Sequence, residues 1–297
     1  MKLYIGQQAV LPVLESLTLR KSRSEAAATL TAALLLAAAD TCIPKLSLKL
    51  GDPVRLLDDG GTEVFLGSIQ HLERTPERAV FTAYDRGIYL TRNEVTGVYW
   101  GTPAEIAGQI AGELDIDAGT VEASGARKLI VPGAGDSAFS VLRQAVGDGY
   151  EIAIRGEALH ITKSAYTVYP LQPSQVLEVS GTASLLDMVN RCVVIDRYGR
   201  QQATAEQADD MAAYGRFQSV LLQSGDDPAG QAGAALRGRQ MSGQITVLGH
   251  LNYRCGAAVE LHRGEWGLDG VYAVTAAEHR WEGGVYTTVM KLEFIRK

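Results

Sequence analysis

The feature that most constrains this chain is a hydrophobic period that changes and then changes back. Through residues 1–98 apolar side chains alternate with polar ones in "KLYIG", "LESLTLR", "KLSLKLGDPVRLL", "TEVFLGSIQHL" and "RAVFTAYDRGIYL", with turn signals such as "DDGG" and "RTPE" between them. A period of two sends successive side chains to opposite faces, so the pattern predicts an antiparallel β region with one buried face. With the Ala/Leu run near residue 30, about six strands are expected.

The period then becomes helical. Thr102, Pro103 and Glu105 supply an N-cap, a proline at the first helical position and a carboxylate that reaches back to the cap. Ile106, Ile110 and Leu114 follow on one face. A second helix is expected from Ser137, with Phe139, Leu142 and Val146 buried and "GDG" at 147–149 ending it. "YEIAIRG" and "ALHITK" then read as a hairpin. Residues 99–168 are thus an α/β module inserted between β regions.

Strands return after residue 169. "SLLDMVN" is expected as a short helix with Ser184 and Asp187 in capping positions, and "RCVVIDR" and "FQSVLLQS" as strands. Asp227 and Pro228 open an Ala-rich helix expected over 228–241. The strands "QITVLGH", "AAVELHR", "GVYAVTAAEHRW" and "YTTVMKLEFIR" follow, and a barrel with the helix across its open side satisfies the pattern. "GDPVRL" at 51–56 and "GAAVEL" at 256–261 share GxxVxL, and each precedes a turn, a Gly-containing strand and a last alternating strand. The repeat is short: it is either a coincidence between β-hairpins or a duplication that places two similar barrels in one chain.

Composition excludes several classes. The formal net charge is −6 and no cluster of basic residues occurs, so a grip on phosphate backbone or an anionic membrane surface is not expected. Cys42, Cys192 and Cys255 are far apart, which indicates neither a disulfide framework nor a zinc site and fits a reducing cytoplasm. The uncharged run Ala26–Ala39 ahead of Cys42 superficially resembles a lipoprotein signal. It starts deep in the chain, Asp40 and Thr41 spoil the cleavage box, and about 20 apolar residues are needed to span a bilayer. Leu30, Leu34 and Leu36 share one parity, so a core strand is expected instead.

Catalytic patterns are weak. "GAGDSAF" at 133–139 resembles the sugar-kinase signature in which an aspartate is the base and a glycine turn opens a phosphate-binding helix. It stands mid-chain after an all-β region, without the alternating β/α units that motif needs. The local alternative is that Gly133 and Gly135 turn the chain while Asp136 or Ser137 caps a helix. His71, His160, His250, His262 and His279 are isolated, with no metal-ligand spacing. Asp58–Asp59, Asp115/Asp117, Asp209–Asp210 and Asp226–Asp227 lie in turn contexts, and no GxSxG elbow is present. No catalytic, cofactor or metal residue is assigned, and no enzymatic activity is expected.

"AYDRGIYLTRNEV" followed by an aromatic patch and "GTPAEIAGQIAGELDI" resembles the phage tail-hub or baseplate-hub family of contractile-tail phages, PBSX-like defective prophages and phage-tail-like bacteriocins. "KLGDPVRLLDDGGTEVFLGSIQ", "ASLLDMVNRCVVID", "YGRFQSV" and "GVYAVTAAEHRW" match further segments of that pattern in order, though Thr102 stands where a basic residue is usual.

The resemblance implies a mainly β, α+β fold. Two tail-tube-like barrels are expected over 1–98 and 169–297, the latter with one packed helix, and the α/β module over 99–168. It implies a homotrimeric, pseudo-six-fold ring that joins the tail tube protein to the central spike protein, with tape-measure and other baseplate proteins as further neighbours. Assembly would take place in the host cytoplasm and the finished location would be the virion tail. Tyr84, Arg86, Tyr89, Arg92, Tyr99 and Trp100 become expected seam residues, since aromatics and Arg dominate buried protein contacts; covering the domain's own core is the alternative. A carbohydrate-binding or host-attachment module would use exposed Tyr and Trp in another way.

Overall fold

The computed structural model describes every residue except 37–45, 148, 156, 164–165, 264–267 and 296–297. In chain order, β1 (Lys2–Ile5), β2 (Gln8–Ala9), β3 (Leu14–Ser22), β4 (Thr29–Leu35), β5 (Pro53–Leu57), β6 (Glu63–Arg74) and β7 (Arg78–Asp85) form the first β region. Next come α1 (Ile88–Arg92), β8 (Tyr99–Gly101), α2 (Pro103–Glu113), β9 (Asp117–Val121), β10 (Lys128–Ile130), α3 (Ala138–Val146), β11 (Tyr150–Arg155) and β12 (Ala158–Lys163). The remainder is β13 (Val168–Pro170), β14 (Val176–Ser184), β15 (Arg191–Ile195), β16 (Gln201–Glu206), α4 (Ala208–Tyr214), β17 (Gln218–Leu222), α5 (Pro228–Ala234), β18 (Gln240–Leu248), β19 (Ala258–Arg263), β20 (Leu268–Glu282) and β21 (Val285–Phe294).

The fold is mainly β, and strands from both β regions join in one 13-stranded sheet that curls as a half-barrel. The alternation is why: Leu17, Leu19, Leu30, Leu34, Ile69 and Phe81 are buried on one face of the first region, and Ile245, Val247, Val259, Val274 and Met290 on one face of the second. At about 25 cal/mol per Å² of apolar area, burial of each such large side chain is worth about 1.5–3 kcal/mol.

The two regions are copies of one design. In the first, spatial order is β3-β4-β7-β6-β5; in the second it is β14-β18-β21-β20-β19. Both read 1-2-5-4-3 and every neighbouring pair within them is antiparallel. The irregularities repeat as well. The fourth and fifth strands slip register between Ile69 and His71 in one copy and between Val274 and Ala276 in the other. The first and second strands slip between Leu14 and Ser16, and between Val176 and Glu178. Bulges re-aim a strand, so shared bulges mean shared curvature. The copies are joined where β20 pairs antiparallel with β3, from Ala276↔Ser22 to Glu282↔Ser16.

The helix start at Thr102 forms as expected: its side chain accepts from the Glu105 N–H and the Glu105 carboxylate accepts from the Thr102 N–H. α2 and α3 pack over β9, β11 and β12, with Ile106, Ile110, Val141, Leu142 and Ile161 fully buried. Phe139, expected in that core, is only partly buried against it.

Several local expectations differ. "IYL" at 88–90 belongs to α1, because the Asp85 carboxylate accepts the Gly87 N–H at 2.9 Å and turns the chain out of the sheet. Among the described residues of "KLSLKLGDPVRLL" only Pro53–Leu57 is strand; the Asp52 carboxylate accepts the Lys49 N–H and closes a turn ahead of it. "SLLDMVN" is a turn rather than a helix: the Ser184 hydroxyl accepts the Leu186 N–H two residues on, and Leu186 stays exposed, packed against no core. The Ala-rich helix ends at Ala234, because Gln240–Leu248 is taken as a strand between β14 and β21. That helix, α5, covers a separate small sheet, β16-β15-β17, through Ala232 against Cys192 and Val194, rather than the second large core. Cys42 lies outside the described residues.

Candidate protein interface

The "GAGDS" turn is built as a helix start. The Asp136 carboxylate accepts the Gly133 N–H at 2.7 Å, and the Ser137 hydroxyl accepts the Ser140 N–H at 3.2 Å as the N-cap of α3. Asp136 also receives the Ser140 hydroxyl at 3.3 Å, so its acceptors are engaged in the turn itself. Among the described residues no three His, Cys, Asp or Glu side chains come together as a metal site. Burial pushes the Cys255 thiol up to about 11 while it donates to the Thr275 carbonyl. This is the opposite of an activated thiolate. Burial, with the nearby His250 charge, holds His279 down to about 4, and its Nδ1 lies 2.9 Å from the Tyr286 hydroxyl and 3.1 Å from that of Thr288.

The six expected seam residues divide. Tyr99 is 3% exposed and points into the core of the α/β module, where its hydroxyl donates to the Glu113 carboxylate. Burial first, and then Glu113, raise its pKa. Tyr99 is therefore a core residue, a correction to the seam expectation. Its neighbour Trp100 is 53% exposed on the other face of the same strand, with the Arg127 guanidinium 5.6 Å from its ring centre. One strand step separates the two fates because side chains alternate.

Arg86 is exposed and ion-paired to Glu157 at 3.0 Å, which ties the exit of the first repeat to the β11–β12 hairpin. Tyr89 and Arg92 are exposed on α1, and Tyr84 is half-buried beside the groove that runs along β4. The structure does not gather the six residues into one patch.

A more coherent apolar surface lies next to Trp100. β8 and β10 pair as a two-stranded ribbon with Trp100↔Leu129 and Tyr99↔Ile130. Tyr99 and Ile130 face inward, while Val98, Trp100, Leu129 and Val131 are all more than half exposed. Leu129 and Val131 were not singled out by sequence reasoning, although the apolar run "KLIV" carries the signal. A lone exposed Leu is ordinary; four large apolar side chains on one ribbon face are not.

Two open grooves, of about 670 and 520 Å³, lie on equivalent faces of the repeats. Thr18, Thr31 and Tyr84 line one; Ser180, Gln244 and Glu293 occupy the corresponding positions in the other. Each repeat thus has one apolar face, its core, and one polar face rich in Ser and Thr. The module is tied to the second end of β3: the Arg143 guanidinium donates to the Arg23 carbonyl at 3.0 Å, and Arg23 donates to the Tyr166 hydroxyl at 2.6 Å.

A duplicated antiparallel sheet with an inserted α/β module is the fold of phage tail proteins. Solved structures that it resembles include the 43 kDa tail protein of prophage MuSo2 from Shewanella oneidensis, with 14% identity, TM-score 0.70, 98% of this chain and 96% of that one covered. The tail protein from Neisseria meningitidis MC58 gives 14% identity, TM-score 0.68, and coverage of 98% and 95%. The E. coli c3393 protein, a type VI secretion component described as similar to the T4 tail proteins gp27 and gp5, gives 11% identity, TM-score 0.61, and coverage of 100% and 78%. A comparison with curated proteins gives no match in sequence. The YQBQ-like family model matches residues 17–294, and the chain belongs to that family. The phage-tail resemblance read from the sequence is borne out at the level of family and fold.

Proposed function

We propose that this chain is a structural hub protein of a phage tail or phage-derived baseplate. Three copies would form a ring that presents six similar β repeats to the tail tube and three-fold symmetry to the central spike. The observation that carries this reading is the repeated 1-2-5-4-3 strand order with matching bulges, joined through β20 and β3. A chain with two like repeats in series is what a three-to-six symmetry adaptor requires. The division into barrels over 1–98 and 169–297 with a module over 99–168 belongs to this reading.

The polar Ser/Thr face shared by the repeats suits the lumen of such a ring, through which DNA or a tape-measure protein would pass. Arg86, Tyr89, Arg92 and the Trp100–Leu129 ribbon are then contacts to neighbouring baseplate components, whereas Tyr84 lines the lumen-side groove and Tyr99 is a core residue. The location is the tail of an assembled particle, built in the bacterial cytoplasm.

The test is negative-stain imaging of purified protein together with its mass by sedimentation. Rings with a central hole and trimer mass are expected. A stabilisation by ATP analogues in a thermal melt, or selective binding on a glycan array without rings, would replace this reading with an enzymatic or an attachment role.

A further inference from the structure

The join between the two repeats is asymmetric in an informative way. β20 serves two neighbours on one edge: its first half pairs with β19 and its second half, from Ala276, pairs with β3. In the first repeat the corresponding strand, β6, pairs with β5 only up to Ser68. Ile69 is held by Gly51 and Asp52, and beyond it no described strand pairs with that edge. In the second repeat β14 corresponds to β3, and its outer edge is likewise unpaired among the described residues. Both halves of the internal junction are therefore present a second time, each without a partner strand among the described residues; the Arg74 guanidinium donates to the Leu48 carbonyl at 3.5 Å beside the β6 edge.

We propose that copies of this chain join by pairing the distal half of β6 in one copy with β14 of the next, antiparallel and in the register of the internal junction. The proposal rests on the ring reading above and names the contact that closes it. The register follows from the bulges: Ile69/His71 corresponds to Val274/Ala276, and Leu14/Ser16 to Val176/Glu178. Ala276↔Ser22 then becomes His71↔Ser184, and His279↔Leu19 becomes Arg74↔Gly181. Leu72↔Ala183 and Glu73↔Thr182 lie between.

Exposure and chemistry agree with this contact. His71, Glu73 and Arg74 are exposed, as are Gly181, Thr182 and Ala183. No like charges meet in the four pairs. β14, "VLEVSGTAS", is a nine-residue edge with neither Lys nor Pro, the devices that usually block strand addition, so its open N–H and C=O groups call for a partner strand. Pro76 ends the new ladder because it has no N–H, which makes the junction between copies shorter than the one within a chain. Such a head-to-tail contact is heterologous, and it closes only if each step turns by the same angle. An external junction built like the internal one supplies that equality.

The test is cross-linking of the full chain with Cys42, Cys192 and Cys255 replaced by Ala. Residues directly opposite in an antiparallel pair have Cα atoms about 4.5–5.5 Å apart, within disulfide reach. Glu73→Cys with Thr182→Cys should yield thiol-reversible covalent multimers at least about fivefold more than Glu73→Cys with Ser180→Cys, which is displaced by two residues. Ala183→Pro, checked for folding by circular dichroism, should reduce assembly seen by sedimentation. A chain that stays monomeric at the highest attainable concentration overturns the pairing. Rings that form with no preference for the in-register cysteines also overturn it and leave the hub reading standing. In-register multimers that grow as open filaments support the pairing and overturn the closed ring.

Discussion

Gly51 and Gly256 hold the same conformation at the same place in the two repeats. Their φ angles are +86° and +87°, and each donates its N–H to the carbonyl of the residue at the fourth-strand bulge, Ile69 at 2.7 Å and Val274 at 3.1 Å. The bulge residues answer in kind: the N–H of Ile69 donates to Asp52 at 3.0 Å and that of Val274 to Ala257 at 2.9 Å. This two-bond motif closes the third strand onto the fourth in each copy. It is the physical content of the short GxxVxL repeat.

A side chain at either glycine must adopt a left-handed backbone. Space is not the obstacle at Gly51, where an added Cβ would meet nothing within 4 Å. Gly51→Ala and Gly256→Ala should each cost about 1–2 kcal/mol from backbone strain alone. Urea midpoints at constant m-value check this, and equal losses at the two sites are expected.

The two tyrosines should part company. Tyr99→Asp places a carboxylate in the module core beside Glu113 and should unfold that module, whereas Tyr89→Asp on exposed α1 should leave the melting curve within about 0.5 kcal/mol of wild type. Tyr99→Phe removes only the hydroxyl bond and should cost about 1 kcal/mol. Circular dichroism melts of the three variants decide between core and surface.

Asp136→Ala removes the acceptor of the Gly133 N–H, and Ser137→Ala removes the α3 cap. Each should lower stability by about 0.5–2 kcal/mol. Any phosphotransfer activity that vanished with Asp136 while the fold persisted would contradict the capping role.

His279 makes stability depend on pH. The folded chain keeps it neutral down to about 4, while the unfolded chain takes up a proton near the ordinary value of 6.5. Between these values the unfolded state binds more protons, so stability is complete above about 6.5 and is lost as pH falls toward 4. The loss is on the order of 3 kcal/mol. His279 lies opposite Leu19 in the β20–β3 junction, so acid should loosen the join between the repeats first. Denaturant midpoints at pH 7 and pH 5 should differ in wild type and converge in His279→Gln.

Much of the site was legible locally and the rest was not. The Thr102 capping box, the Ser137 cap and the Asp227 cap depend on residues within three positions of one another, so their chemistry is complete in the sequence. Alternation along β4 likewise marked Leu30 and Leu34 for burial. Tyr99 and Trp100 could not be told apart, because adjacent strand residues always face opposite ways and only packing against α2 selects which face is inside.

By itself, then, the sequence determined the caps of α2, α3 and α5 and the apolar face of strands such as β4, and it offered a short β pattern that occurs twice. Tertiary structure alone decided that the copies share one sheet through β20 and β3, that Gln240–Leu248 is a strand between β14 and β21 rather than the end of a helix, and that α5 covers a small separate sheet. The reason is range. Caps and alternation are satisfied within a few residues, whereas strand pairing joins groups such as Glu282 and Ser16 that lie at opposite ends of the chain, and the loop-closure entropy and packing that choose among such pairings are properties of the whole fold.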